Sequence, residues 1–174
     1  MIDGTQLRLR PTMLSDLDFV LSVERDAANL PFITPWESTQ HEGAVRFPDF
    51  RHFIVEAGPG TQANGFVILQ GCRSQHRSVE LKRIVLQTKG QGLGRVCVRL
   101  LKRMAFRDLR AHRLWLDFKA HNDRARALYA SEGFAVEGTL RDAVRVGDGY
   151  ESLVVMSILE AEFAARRAAG QELP

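Results

Sequence analysis

The chain has 174 residues, of which 45% are hydrophobic and 26% are charged, and its formal net charge at pH 7 is +3. This composition is typical of a soluble globular protein and excludes the collagen-like, disordered and disulfide-framework classes. The length predicts a single domain over residues 1–174. No apolar run approaches the roughly 18 residues of a membrane span, and the first residues lack a signal-peptide pattern, so we expect no membrane partner and a cytoplasmic location.

Cysteine and histidine spacing bears on disulfide bonds and metal sites. Cys72 and Cys97 are too few for a disulfide scaffold, and the five histidines form no pattern that is typical of zinc binding. We therefore expect free, buried thiols and no metal.

Apolar periodicity predicts strands and helices in a mixed order. Strands are predicted at 7–11, 52–57, 65–70, 79–86, 113–118, 134–141 and 150–159. Helices are predicted from residue 15 or 16 until before 31, from 38, over 92–108 and over 122–131, followed by a left-handed cap at Gly133. The tail, about 161–174, should be helical and then fray. The strand, helix and strand of 79–118 form a parallel crossover beside antiparallel hairpins, which predicts an α/β fold with a mixed sheet.

A basic run lies between Lys82 and Arg113, with ten Lys or Arg residues against a single acid, Asp108. Five of these residues recur at helical spacing and predict a solvated helix face: Arg95, Arg99, Lys102, Arg103 and Arg107. Nucleic-acid binding would need a continuous basic stripe with aromatic stacking, whereas Phe106 and Trp115 are expected inside the protein. We therefore expect no nucleic-acid partner.

A glycine-rich segment, Lys89-Gly90-Gln91-Gly92-Leu93-Gly94-Arg95, joins a predicted strand to a predicted helix. Amides at a helix start lack intrahelical partners and face an anion favourably, and glycines let the main chain approach it. A Walker loop would need GxxxxGK before Ser or Thr, and a Rossmann fingerprint would need glycine where Arg95 stands. The segment therefore predicts another kind of phosphate site, and the alternative is a turn that lets strand and helix pack closely.

Two motifs resemble those of the GNAT superfamily, the Gcn5-related N-acetyltransferases. The first is Lys-x-x-Gly-x-Gly from Lys89, where the family usually has Arg or Gln at the first position. The second is Asn-x-x-Ala-x-x-x-Tyr-x-x-x-Gly-Phe, which runs from Asn122 to Phe134 with its spacing intact. The resemblance covers essentially the whole chain and is most specific over 80–159.

The resemblance implies a GNAT fold, acetyl-CoA as cofactor, and acetyl transfer to a primary amine by direct attack on the thioester. In this fold the fourth and fifth strands splay apart, and the pantetheine arm pairs with the exposed backbone. The pyrophosphate rests on the main-chain amides of Gln91, Gly92, Gly94 and Arg95, with Lys89 adding charge, so a side-chain replacement at Gln91 should matter little. The implied cofactor-binding residues are Ile84, Val85, Leu86, Lys89, Gln91, Gly92, Leu93, Gly94, Arg95 and Asn122.

The resemblance also points to catalytic residues. Tyr129 is the candidate general acid, because its hydroxyl can reprotonate a leaving thiolate, and the alternative is a tyrosine that packs in the core. Glu80 is the candidate base, and the alternative is an ion pair with Lys82 on the same face of the strand. Three carboxylates are weaker candidates for the base: Glu56, Asp117 and Glu37.

Acceptor specificity should come from the loop of residues 30–37 and the turn of residues 147–150. Phe32 and Trp36 could form an apolar wall, Glu37 could attract an ammonium group, and Tyr150 lies in the turn; the alternative is that the aromatic rings fill the core. The expected partner is a small-molecule amine or a peptide amine, and a homodimer is the assembly considered. Competing functions are a nonenzymatic acyl-CoA sensor and acylation of protein N-termini.

Overall fold

The computed structural model describes residues 7–58, 60 and 62–172. The strands are β1 (Leu7–Pro11), β2 (Phe50–Ala57), β3 (Gln62–Gln70), β4 (Ser78–Leu86), β5 (Arg113–Lys119), β6 (Ala135–Val146) and β7 (Gly149–Leu159). The helices are α1 (Leu17–Glu24), α2 (Ser38–Arg46), α3 (Leu93–Arg103), α4 (Asp123–Ser131) and α5 (Glu160–Ala168). The strands form one sheet in the order β1-β2-β3-β4-β5-β7-β6, which confirms the predicted mixed α/β fold.

The sheet is antiparallel except where β4 meets β5. These two strands pair in parallel only over Ser78–Glu80 and Arg113–Trp115, and then separate. A bulge in β4 at Lys82 accompanies the separation, because Ile68 of β3 pairs with Arg83 while Leu69 pairs with Leu81. The splay that the family resemblance implies is therefore present, and it opens a cleft between the C-terminal ends of β4 and β5.

Two hydrophobic clusters cover the two faces of the sheet. The larger one packs α3, through residues such as Cys97 and Leu101, against buried side chains of β4, β5 and β7. The smaller one packs Val20 and Val23 of α1 against β2 and β3. Close contact inside the sheet requires glycine at position 65, since a Cβ there would lie 2.1 Å from the carbonyl oxygen of Val85. Cys97 is buried as expected, whereas Cys72 is only half-buried, which differs from the expectation.

The basic helix differs from its prediction in two respects. It is regular only to Arg103, and a π-helical turn, Met104–Asp108, replaces the predicted end. Lys102 does not lie on a solvated face: its side chain is fully buried, and its ammonium donates to the carboxylates of Glu132 (3.2 Å) and Glu172 (2.5 Å). Because Glu132 follows α4 and Glu172 follows α5, these contacts tie three helical segments together. They also hold Glu172 against Lys102 after α5 has ended at Ala168.

Candidate active site

Two cavities lie along the cleft between β4 and β5 and meet near its centre. The first, which we call the loop cavity, has a volume of about 430 Å³ and is bounded by the glycine-rich segment and α4. The second, the aromatic cavity, has a volume of about 510 Å³ and is bounded by residues 32–36, β4 and β5. Five residues line both cavities: Phe32, Ile84, Asn122, Ala125 and Tyr129.

The glycine-rich segment turns sharply into α3. Gly90 and Gly92 both adopt a φ of +79°, a left-handed conformation that favours glycine. Among the described residues, no group accepts a hydrogen bond from the amides of residues 91–94, whereas the amide of Arg95 donates to the carbonyl of Gly92 at 3.0 Å. Three of the four amides expected to hold the pyrophosphate, those of Gln91, Gly92 and Gly94, are therefore unpaired at the positive end of a helix, and so is the amide of Leu93, whereas the fourth expected amide, that of Arg95, already has a partner.

Cationic side chains surround the same cavity. Lys89, Arg95 and Arg124 line it, and the ammonium of Lys89 donates to the side-chain oxygen of Asn29. Burial lowers the pKa of Lys89, and the nearby positive charge of Arg124 lowers it further. Sequence reasoning missed Arg124, although its place two residues after Asn122 in the second motif was a usable signal. Unpaired amides and basic side chains together form a site that suits a diphosphate.

Tyr129 lies where the two cavities meet. Its ring packs between Phe118 and Phe134, with centroid distances of 5.8 and 5.7 Å. Burial raises the pKa of the hydroxyl, and the charges of Cys97 and Asp117 act in the same direction. In the part of the chain that the structure describes, no protein group pairs with this hydroxyl. The helix that carries it is fixed by Asn122, whose side-chain oxygen accepts from the Ala125 amide at 3.0 Å and so caps α4 as expected.

Glu80 lies at the root of the cleft, where β4 still pairs with β5. Its side chain is almost buried, and it accepts a hydrogen bond from the ammonium of Lys82 at 3.0 Å. Burial raises the pKa of its carboxyl group, and Lys82 opposes this shift. Glu80 lines neither cavity, so the arrangement matches the ion-pair alternative, and its role as a base stays a prediction. Of the weaker candidates, Glu56 pairs with Arg8 and Arg10 on β1, whereas Asp117 lines the aromatic cavity.

The expected specificity residues divide into two groups. Phe32 and Trp36 line the aromatic cavity, and Trp36 also packs against the smaller hydrophobic cluster, which is the alternative considered for these rings. Glu37 does not: its side chain is 78% exposed and pairs with Arg25 at 3.4 Å. Tyr150 is 61% exposed and also lies outside the lining of both cavities. The structure therefore brings neither Glu37 nor Tyr150 into the cavity.

A buried ion-pair network forms the floor of the aromatic cavity. Glu24 of α1 is fully buried and lies 3.2 Å from the guanidinium of Arg83, a residue of the cavity wall. The same carboxylate accepts from the Trp36 amide at 3.0 Å, and Arg83 donates to the Thr34 carbonyl at 2.5 Å. The guanidinium also lies 5.2 Å from the Trp36 ring centre. Glu24 and Arg83 thereby fix the loop that carries the aromatic wall.

Two buried histidines extend this network below the cavity. His41 Nε2 lies 3.0 Å from Glu24, His41 Nδ1 lies 3.2 Å from His52 Nε2, and His52 Nδ1 lies 2.9 Å from the Thr12 hydroxyl. Tautomers with the proton on Nε2 of each ring satisfy all three contacts, and the hydrogen bonds then run in one direction from Thr12 to the carboxylate. Burial, reinforced by His41, lowers the pKa of His52 to about 3. No motif links these residues, and sequence reasoning missed them.

Comparison with known families identifies the chain. A model described as an acetyltransferase (GNAT) domain matches residues 6–135. The chain belongs to the GNAT acetyltransferase family. It is an acetyl-CoA-dependent N-acetyltransferase, and the residues of the loop cavity fit the coenzyme, because the four unpaired amides and three basic side chains match its diphosphate.

Similar proteins of known name are spermidine acetyltransferases. Spermidine N(1)-acetyltransferase of Escherichia coli K12 is 27% identical to this enzyme over 179 residues, covering 96% of this chain and 94% of that protein. The Vibrio cholerae protein of the same name is 28% identical over 178 residues, covering 94% and 98%.

Solved structures agree with the fold. A chimera of spermidine N-acetyltransferase SpeG from Vibrio cholerae and hSSAT superposes with a TM-score of 0.83 at 26% identity, covering 93% of this chain and all of that chain. The Vibrio cholerae enzyme in complex with CoA and spermine gives a TM-score of 0.82 at 24% identity, covering 92% and 99%. Across the described part of the enzyme, no helix has the length and apolar character needed to span a membrane.

Proposed function

We propose that the enzyme moves the acetyl group of acetyl-CoA to the amine nitrogen of a small molecule by direct attack on the thioester, with Tyr129 as the general acid. The meeting of the loop cavity and the aromatic cavity at Tyr129 carries this proposal. A donor in one cavity and an acceptor in the other would have their reacting ends side by side. Holding two reactants in this way supplies a large part of the rate enhancement of a transfer reaction.

The main chain of the cleft supports binding of the donor. The amides of residues 91–94 would hold the diphosphate, with Lys89 and Arg124 adding positive charge. Beyond Glu80 the backbone of β4 no longer pairs with β5, so the segment of residues 84–86 offers peptide groups to the pantetheine amides. This is the way in which extended ligands add to an open strand edge.

Tyr129 is the proton donor in this proposal. Coenzyme A supplies an activated thioester whose leaving group is a thiolate, and a thiol has a reference pKa of about 8.5. The hydroxyl of Tyr129 is protonated across the neutral range and can donate to the sulfur, and its raised pKa makes it a weaker acid than an ordinary tyrosine. The amine must also lose a proton, and Glu80 would take it only through intervening water, because the carboxylate lies outside both cavities.

The acceptor is a primary amine small enough for the aromatic cavity. Spermidine is the first compound to test, because it appears in the names of the relatives. Release of the coenzyme A thiol should be measured with polyamines, amino acids, aminoglycosides and short peptides. Turnover with at least one amine is expected, and acetyl-CoA alone should raise the melting temperature of the protein.

The substitution Tyr129→Phe tests the general acid. The phenyl ring keeps the contacts with Phe118 and Phe134 and loses the proton donor, so kcat should fall by about 10²- to 10⁴-fold. Thermal stabilisation by acetyl-CoA should persist, because the diphosphate contacts do not involve this residue. The matched comparison is Tyr150→Phe, the same change at an exposed tyrosine outside both cavities. An equal loss in the two variants, or no effect at Tyr129, would refute the assignment.

A further inference from the structure

The cations in the wall of the aromatic cavity are already neutralised. Lys82, Arg83 and Lys119 line the cavity. Their partners are the carboxylates of Glu80 at 3.0 Å, Glu24 at 3.2 Å and Glu151 at 2.9 Å, respectively. The side chains of Arg83 and Lys119 are 11% and 6% exposed, so these pairs are largely shielded from water. The wall therefore has little charge of its own to offer an acceptor.

Asp117 is the exception in this wall. Its neighbours in β5, Leu116 and Phe118, are buried in the core, so the alternation of the strand turns Asp117 to the opposite face, where it lines the aromatic cavity. In residues 7–58, 60 and 62–172, no Lys, Arg or His forms an ion pair with Asp117, and no donor bonds to it. Its charge acts on the hydroxyl of Tyr129, on the carboxyl group of Glu80 and, over a distance longer than an ion pair, on the guanidinium of Arg83.

We propose that Asp117 binds the ammonium group of the acceptor, and that this acceptor is an amine with a single positive charge on an apolar body. The inference rests on the proposed function and narrows its substrate class. One unpaired carboxylate balances one ammonium group. Apolar side chains of the same lining, such as Phe32, Ile33 and Leu153, would contact the rest of the acceptor.

Further ammonium groups would find no counterpart in this cavity. Apart from Asp117, the charged side chains of its wall are cations, and each has a carboxylate partner already. The Trp36 ring could attract a second ammonium, but Arg83 already occupies that position at 5.2 Å. Glu37 is exposed and paired with Arg25. A polyamine held wholly within the cavity would therefore bury positive charge without compensation, which is costly.

Competition between two amines tests the substrate class in the wild-type enzyme. Phenethylamine carries one ammonium on an aromatic body, and spermidine carries three ammonium groups on a flexible chain. The kcat/KM for phenethylamine should exceed that for spermidine by about 10-fold or more, because each unpaired buried charge opposes binding. A higher kcat/KM for spermidine would overturn the inference while leaving the acetyltransferase function in place. If neither amine is acetylated and acetyl-CoA causes no thermal shift, the proposed function itself fails.

The substitution Asp117→Asn tests the binding residue. Loss of a charged hydrogen bond should lower kcat/KM for phenethylamine by about 10- to 100-fold and weaken its binding in calorimetry by a similar factor. A normal thermal shift with acetyl-CoA shows that the variant is folded. The control is Asp108→Asn, which removes an exposed carboxylate outside both cavities and should change neither quantity. Wild-type affinity in Asp117→Asn would overturn the inference.

Discussion

The two cavities of this enzyme are built in different ways. The loop cavity takes its key groups from short, contiguous stretches: the glycine-rich turn into α3 and the first turns of α4. The aromatic cavity takes its groups from the loop of residues 30–37, from β4 and β5, and from β7, and it is supported from below by Glu24. The groups of the loop cavity are therefore specified by local sequence, whereas those of the aromatic cavity come together only in the tertiary fold.

The largest effect should come from removing the support of the aromatic cavity. In Glu24→Ala the buried guanidinium of Arg83 loses its counter-ion, and His41 and the Trp36 amide lose their acceptor. Breaking a buried ion pair by deleting one partner costs about 3–5 kcal/mol, so the free energy of unfolding should fall by that amount in urea denaturation. Acetyl-CoA should still stabilise the variant, because Glu24 does not contribute to the loop cavity.

The control for this experiment is Glu37→Ala. This carboxylate belongs to the same loop region but forms an exposed pair with Arg25, and such pairs contribute about 0–1 kcal/mol. Equal losses in Glu24→Ala and Glu37→Ala would show that the buried network does not support the loop. If the Glu24→Ala protein is folded but acetyl-CoA no longer raises its melting temperature, Glu24 supports both cavities and not the aromatic cavity alone.

The same contrast explains what the sequence could and could not predict. The two motifs located Gly92, Asn122 and Tyr129 because each motif lies within one turn or one helix, where spacing fixes geometry. Glu24 and Arg83 meet across 59 positions of the chain, and no local pattern records such a contact. The pairing of the buried Lys102 with Glu132 and Glu172 was missed for the same reason. Helical spacing indicates which residues share one face of a helix, but it does not show which other segments of the chain pack against that face.

A smaller effect should appear in the pH dependence of the free energy of unfolding. It comes from His52, which belongs to the buried network that supports the aromatic cavity. Burial lowers the pKa of His52 from its ordinary value of 6.5 to about 3, with a further contribution from His41. Between these values the unfolded chain binds a proton at His52 and the folded chain does not, so acid favours unfolding. From pH 7 to pH 5 this residue should lower the free energy of unfolding by about 2 kcal/mol.

Urea denaturation at a series of pH values checks this effect. His52→Gln cannot titrate in this range and should lose most of the decline between pH 7 and pH 5. The carboxyl groups of Asp16, Glu56 and Glu137 have lowered pKa values, so their contributions are lost mainly under more acidic conditions. His112→Gln is the control, because its side chain is 62% exposed. An unchanged pH profile in His52→Gln would show that His52 becomes protonated within the folded protein.

The smallest effect should come from the side chain of Gln91 in the loop cavity. Gln91 is exposed and contributes an unpaired amide, which alanine retains, so Gln91→Ala should change the affinity for acetyl-CoA by less than about 2-fold and stability by at most about 0.5 kcal/mol. Gly92→Ala is the matched comparison. A Cβ there meets nothing within 4 Å, but the φ of +79° strains any other residue, so stability should fall by about 1–2 kcal/mol and the thermal shift with acetyl-CoA should shrink. If the thermal shift with acetyl-CoA shrinks equally in the two variants, side chains hold the coenzyme, and the main-chain amides of the loop cavity do not.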